Sequence, residues 1–248
     1  MKPAAMTLPD LHVLGLVWLG AFLGALAAGG AGFAFALAAS SIWLHALDPL
    51  HTTAFVVASG TLLHVGFVWS MRRAIEPARL WPFVLGALAG IPIGVRILAL
   101  SDARLLKTVL GGFLILYGTY ALATPRLPYV GRGGRAADGA IGFLGGLLGG
   151  IGGYSGVLPT IWTQLRGWSK ETARAVYQPY ILACQALTLA LVGAVAFDRA
   201  AALLFATTVP ALLAGAWIGW RIYGRLDDRR FRQVLAALLV ASGATLVL

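Results

Sequence analysis

Two glycine clusters interrupt long apolar stretches of this chain, Gly29-Gly30-Ala31-Gly32 and Gly149-Gly150-Ile151-Gly152-Gly153. An aromatic residue follows each, Phe33 in the first case and Tyr154 in the second, and Ser155 comes next to Tyr154. A glycine inside a helix costs about 1 kcal/mol relative to alanine, so such a cluster breaks or unwinds the helix that contains it. A helix that restarts near Phe33 or Tyr154 presents unpaired N–H groups and the positive end of its dipole, which is chemistry for holding an anion. The candidate anion-binding residues are Gly29, Gly30, Gly32 and Phe33 in the first cluster, and Gly150, Gly152, Gly153, Tyr154 and Ser155 in the second. The competing reading is close packing of helices through small residues. Gly20 with Gly24, and Gly142 with Gly146, fit that second reading by their one-turn spacing.

A second group of candidates is neutral and polar. His64 and Gln185 lie well inside apolar runs at matching places in the two halves of the chain. They either line a substrate path or bond one helix to another. Gln178, next to Pro179, interrupts a further apolar run and is a candidate cavity residue. His45 and His51 flank Asp48, which is too few ligands for a metal site. The single cysteine, Cys184, excludes an intrachain disulfide and a cysteine-rich metal centre, and its apolar surroundings suit a small core residue. All nine carboxylates fall at or near the ends of apolar runs. A buried proton relay or a carboxylate-lined cation site is therefore not expected. No catalytic residues, metal ligands or cofactors are assigned. An enzyme would need a nucleophile beside a base; Ser155 and His64 are the one pair to imagine, and their spacing in sequence says nothing of geometry.

The elements that must position these residues are membrane spans. Apolar residues make up 59% of the 248 and charged residues 11%, against about 25% charged in a soluble domain, and the mean hydropathy is +0.84. A span takes about 20 apolar residues. The expected fold is all-α and polytopic, with spans near 11–37, 51–71, 80–99, 104–123, 138–165, 174–197, 200–222 and 231–248. The first and fifth are too long and glycine-rich to be simple rods. The net charge of +10 comes from short basic clusters between apolar runs, such as Arg72-Arg73 and Arg225 to Arg232. Membrane headgroups, rather than nucleic acid, are the partners such clusters fit. The apolar stretch from Leu11 to Ala28 has the look of a leader, but it matches the start of the second half and is expected to belong to the fold.

That match is part of an internal repeat. At one constant offset Phe22, Gly24, Gly29, Gly32 and Phe33 correspond to Phe143, Gly145, Gly150, Gly153 and Tyr154. At a second offset Gly90, Gly94, Arg96, Asp102 and Arg104 correspond to Gly215, Gly219, Arg221, Asp227 and Arg229. The expected organisation is a single membrane domain over 1–248, with a first half at 11–123, a linker at 124–137 and a second half at 138–248. Each half is expected to hold about four spans, the first of them broken at its glycines. Such repeats are typical of secondary transporters, whose substrate site lies where the halves meet. Whether the halves are parallel or inverted stays open. The segments Arg96–Lys107 and Arg221–Arg232 are both placed on the cytoplasmic side.

These features together resemble the sulfite exporter TauE/SafE family of membrane permeases. The resemblance rests on Gly149 to Gly153 followed by Val157-Leu158-Pro159, and on Gly90-x-x-x-Gly94 and Gly215-x-x-x-Gly219 ahead of short basic loops. It covers nearly the whole chain from Leu11. The first half departs from it, with no proline at the place that matches Pro159. The resemblance implies a permease of the bacterial inner membrane that moves sulfite, an organosulfonate or a related organic anion, generally outward. A small anion and membrane lipid are then the partners, with a homo-oligomer compatible and no enzymatic step. A cation or metal transporter, or a non-transporting membrane scaffold, are the alternatives.

Overall fold

The computed structural model describes residues 11–31, 33–123, 129–130, 133–222 and 228–247. Among these residues the fold is wholly helical. The elements are α1 (Leu11–Ala31), α2 (Phe35–Trp43), α3 (Pro49–Met71), α4 (Pro77–Leu100), α5 (Ala103–Ala123), α6 (Arg135–Gly152), α7 (Val157–Leu165), α8 (Lys170–Ala196), α9 (Arg199–Ile222) and α10 (Asp228–Val247). Five helical stretches are long and apolar enough to cross a membrane: Leu11–Gly29, Pro49–Ala74, Pro77–Leu100, Lys170–Ala196 and Arg199–Arg221.

The runs expected at 11–37 and 138–165 are each two helices. Most of each cluster is helical: Gly29 to Ala31 still belong to α1 and Gly149 to Gly152 to α6, and in the second run the break falls at Gly153, the last residue of its cluster. An expectation of unwound clusters is corrected here. Hydrophobic neighbours keep a tightly packed glycine helical, and the chain turns only where a positive φ is needed, at Gly153 with φ 79°. Helix α6 begins at Arg135, ahead of the apolar run expected from 138.

After each break the chain folds back. Gly24 of α1 lies under Phe35 and Ala39, and Gly20 under Trp43, so α2 runs antiparallel to α1. The Trp43 indole closes this hairpin by donating to the carbonyl of Val17 at 2.9 Å. In the second hairpin Gly145 lies under Pro159. Its base is closed by Asp138, which accepts from the Trp162 indole at 2.7 Å and the Arg166 guanidinium at 3.2 Å.

Glycines also bring the long helices together. Gly86, Gly90 and Gly94 of α4 sit in turn on Gly139, Phe143 and Leu147 of α6, so these two helices are parallel. Gly142 and Gly146 return the contact on Phe83 and Ala87, as their spacing foretold. On α9, Gly215 sits on Phe22 and Gly219 on Leu26 of α1, again in parallel. The other two pairs are antiparallel: α5 with α10, where Gly111 meets Gly243 and Gly118 meets Ala236 and Val240, and α3 with α8, where Gly60 meets Gln185 while Ala54 and Val57 cluster with Val192 and Ala196.

These directions sort the helix ends. At one end stand the start of α3, the start of α5, the start of α9 and the end of α10, with His45 Nε2 3.4 Å from Thr245 Oγ1. At the other stand the starts of α4, α6 and α8 and the end of α7, joined by Arg79 over Trp168 and Arg135 over Trp81. The connection from α4 to α5 and that from α9 to α10 therefore lie at opposite ends. Placing Arg96–Lys107 and Arg221–Arg232 on the same side is thus wrong, because a short back-folded helix in each half changes which side every later loop reaches.

The carboxylates at helix ends have a local role. Asp48 accepts from the N–H groups of Leu50 and His51 at 2.9 and 3.0 Å, Asp102 from Arg104 at 2.8 Å, and Asp198 from Ala201 at 2.7 Å. They cap α3, α5 and α9 by taking N–H groups that have no partner within the helix. Ser169 does the same for α8, accepting from Thr172 at 3.1 Å.

Candidate functional site

The two hairpin turns meet in the interior. Phe33 of the first lies against Gly156 of the second, and Ile181 of α8 closes over the same glycine. Across this junction the Tyr154 hydroxyl donates to Ser40 Oγ of α2 at 2.7 Å. Tyr154 and Ser40 are each 1% exposed. The Tyr154 ring also stands beside Phe113 of α5, with centroids 5.3 Å apart. Ser40 in turn donates to the carbonyl of Ala36 at 2.6 Å, so the chain of hydroxyls ends on the backbone of α2.

Each turn residue has a local reason for its place. Gly153 ends α6 in the left-handed region, where its N–H bonds to the Gly149 carbonyl at 2.8 Å. A side chain there would run into Val56 of α3. Gly152 leaves room for the Tyr154 ring, which would otherwise collide with a Cβ. Tyr154 N–H reaches back to the Leu148 carbonyl at 3.3 Å. Helix α7 then starts at Val157. The Val157 N–H reaches the Tyr154 carbonyl at 3.2 Å and Pro159 has no N–H to give, so Leu158 carries the first-turn N–H group that has no partner in the helix. Ser155, just ahead of α7, is fully buried. Its hydroxyl has no hydrogen-bonding partner among the described residues beyond the weak thiol of Cys184 beside it.

Alongside the junction, α8 carries Gln178, Gln185 and Thr188, which share one face by their helical spacing and are 1%, 2% and 0% exposed. Gln185 lies on Gly60 of α3. His64 is one turn along α3 from that glycine, with Nδ1 2.8 Å from the Gly60 carbonyl and its ring edge-on to Phe67. His64 and Gln185 thus flank the same point of the α3–α8 seam. The oxygens of Gln185, Thr188, Ser59 and Thr160 are buried without a hydrogen-bonding partner among the described residues. A buried polar group left unpaired costs about 1–3 kcal/mol, so each of these oxygens is a candidate contact for a polar guest.

The structure therefore gathers Phe33, Gly152, Gly153, Tyr154 and Ser155 at one junction, with Gln178 and Gln185 along the α8 face beside it and His64 across the seam. Two other candidates lie in helix seams instead: Gly29 against Gly219 of α9, and Gly150 against Ile91 and Gly94 of α4. Gly30 belongs to α1, and Gly32 lies outside the described residues. Ser40, Ser59 and Thr188 escaped the sequence reading. A hydroxyl in a bilayer-length apolar run was the signal available for each. Among the described residues no group of His, Cys, Asp and Glu could hold a metal ion.

A family model described as Sulfite exporter TauE/SafE matches residues 16–246. No curated protein and no solved structure matches the chain.

Proposed function

The chain belongs to the sulfite exporter TauE/SafE family, and from that premise we propose that it carries a small, singly charged oxyanion, of the sulfite or organosulfonate class, outward across a bacterial inner membrane. It is an integral membrane protein of a transporter family. The anion is held at the junction of the two hairpin turns, by the Ser155 hydroxyl and the Leu158 N–H in the first turn of α7, with Tyr154 and Phe33 as walls. Gln178, Gln185, Thr188 and His64 line the approach along α8 and α3.

The observation that carries this reading is the meeting of Phe33, Tyr154 and Gly156 beside a buried Ser155 hydroxyl that has only the weak Cys184 thiol as a partner among the described residues. Hydroxyl and amide donors aimed into a dry interior are what an anion needs in place of water. The paired order of the helices supports a site between two inverted halves. Each half reads long, short, long, long, long, and the matching pairs α3 with α8 and α5 with α10 run antiparallel.

Charge selects the guest. Among the described residues no lysine or arginine is fully buried. Moving one unit of charge into a low-dielectric interior has an idealised cost of order 20 kcal/mol, and that cost grows with the square of the charge. Neutral donors can offset it for one charge far more readily than for two. An inside-negative potential of 100 mV then drives a single negative charge outward with about 2.3 kcal/mol, without a coupling ion.

Two measurements test the reading. Purified protein should be stabilised against heat by hydrogensulfite or a simple alkanesulfonate, and not by sulfate. In proteoliposomes an imposed potential alone should drive flux. Replacing Ser155 by alanine removes one charge-assisted hydrogen bond, worth about 1.5–3 kcal/mol, and should weaken anion binding about tenfold or more while the protein still folds. A Ser155→Ala protein that binds and transports like the parent would remove the junction as the site. Stabilisation by sulfate equal to that by hydrogensulfite would remove the single-charge rule.

A further inference from the structure

The two ends of the helix bundle differ in charge, and the difference is large only once the helices are assembled. At the end formed by the starts of α4, α6 and α8 stand Arg72, Arg73, Arg79, Arg135, Arg166 and Lys170, against Glu76, Asp138 and Glu171. Arg221, at the last turn of α9, adds to the excess there. At the opposite end Arg96, Arg104, Lys107 and Arg199 stand against Asp48, Asp102 and Asp198, so the excess there is small.

The arginines of the first end are also stacked on tryptophan. Arg72 lies 4.6 Å over Trp69, Arg79 5.2 Å over Trp168, Arg135 5.8 Å over Trp81 and Arg221 4.5 Å over Trp217. A guanidinium whose face rests on an indole keeps its N–H edge for a phosphate. Indoles at this level belong to the boundary between hydrocarbon and headgroups. Arginine planes over a tryptophan belt are thus suited to a surface of anionic phospholipid.

We propose that this arginine-rich end faces the cytoplasm and rests on the anionic headgroups of that leaflet. Lys and Arg in short connections beside spans are what fixes orientation, and they stay inside. The N-terminal end of α1 and the C-terminal end of α10 then face the opposite compartment. The α6–α7 hairpin, with Asp138, Trp162 and Arg166 at its base, enters from the cytoplasm, and the α1–α2 hairpin enters from the far side.

Thiol labelling of cells tests this without reference to any substrate. The native Cys184 is 1% exposed and gives a silent background. Tyr129 is 75% exposed and adjoins Val130, whose N–H bonds to the Leu165 carbonyl at the end of α7, so it reports the arginine-rich end. Arg104, exposed at the start of α5, reports the other. In intact bacterial spheroplasts a membrane-impermeant maleimide should label Arg104→Cys at once, and Tyr129→Cys only after the membrane is opened. The reverse pattern, or labelling of both from outside, overturns the proposal. Reporter fusions after α10 give an independent reading that leaves both positions intact. Alkaline phosphatase should be active there and a green fluorescent protein dark, and the opposite result counts against the orientation. In nanodiscs, phosphatidylglycerol should raise thermal stability over phosphatidylcholine, and Arg79→Gln with Arg135→Gln should reduce that gain. Equal stability in both lipids removes the headgroup contact.

Discussion

The two hairpins, α1–α2 and α6–α7, solve one problem with different chemistry. Both turn at the end of a glycine cluster and send a nine-residue helix back along its predecessor. The first is closed by a neutral contact, the Trp43 indole on the Val17 carbonyl. The second is closed by an ion pair and an indole together, with Asp138 held by Arg166 and Trp162. The second also carries the left-handed glycine, and Ser155, whose hydroxyl meets only the weak Cys184 thiol among the described residues, lies in its turn. The second hairpin thus holds both the left-handed turn and the polar groups of the candidate site, whereas the first supplies apolar wall and the Ser40 hydroxyl that accepts from Tyr154. Two hairpins of matching form need not share the chemistry equally.

The comparison is open to direct attack, and the largest effect should fall at the turn of the second hairpin. Gly153→Leu forces a side chain into the left-handed region and against Val56. With about 1–2 kcal/mol for the backbone and about 1–3 kcal/mol for overpacking, it should destabilise the fold by about 4 kcal/mol, seen as lost monodisperse protein in detergent. A well-folded Gly153→Leu protein would mean the turn is not fixed as described. Next comes Asp138→Ala, which strands Arg166 and the Trp162 indole. Breaking a largely buried pair should cost about 3 kcal/mol, read from thermal unfolding. In the first hairpin Trp43→Phe keeps most of the packing but leaves the Val17 carbonyl without its donor, so about 1–2 kcal/mol is expected. If Trp43→Phe proves as harmful as Asp138→Ala, the two latches are equivalent and the contrast fails.

The smallest effect concerns the caps of the paired helices α3 and α8. Burial pushes the Asp48 carboxyl up, but hydrogen bonds from the His51 ring and from the backbone N–H groups of His51 and Leu50 hold it below its usual value. A carboxyl depressed in the fold contributes stability above the ordinary carboxylate range. That contribution fades as pH falls through that range and is gone below the folded value. Asp48→Asn keeps a capping oxygen but loses the charge that holds the His51 ring, so it should be less stable than the parent by about 1 kcal/mol near neutrality, and the difference should shrink as the pH is lowered. Ser169, the cap of α8, has no such titration, and Ser169→Ala should show a gap that does not vary with pH.

Much of this was legible in the amino-acid order. Apolar runs of bilayer length and the near absence of charge inside them lead to a helical membrane protein, and the glycine clusters mark the places where two runs divide. The one-turn pairs at Gly20, Gly24, Gly142 and Gly146 declare helix contacts, because only a missing side chain lets backbones approach so closely. The direction of the chain after each break was not legible. A short helix that folds back and one that carries on have the same composition, and this one ambiguity led both basic segments to be put on the same side. The clusters themselves were also too coarse a guide to the site. Gly29 and Gly150 serve a neighbouring helix, Gly152 and Gly153 serve the turn, and nothing in the spacing separates these uses. The hydroxyls of Ser40, Ser59 and Thr188 went unnoticed because a serine or threonine can satisfy itself on its own helix, as Ser41 does on Ala38 at 2.8 Å.

The glycine seams have a mechanical consequence. Helix α6, from the second half of the sequence, lies flush on α4 of the first, and α9 of the second lies flush on α1 of the first. Backbones this close leave no side chains between them to slide or repack, so each pair travels as one rigid strut. Any alternating-access motion that preserves these seams must divide the molecule across its sequence halves rather than between them, with α1 and α9 in one moving body and α4 and α6 in the other.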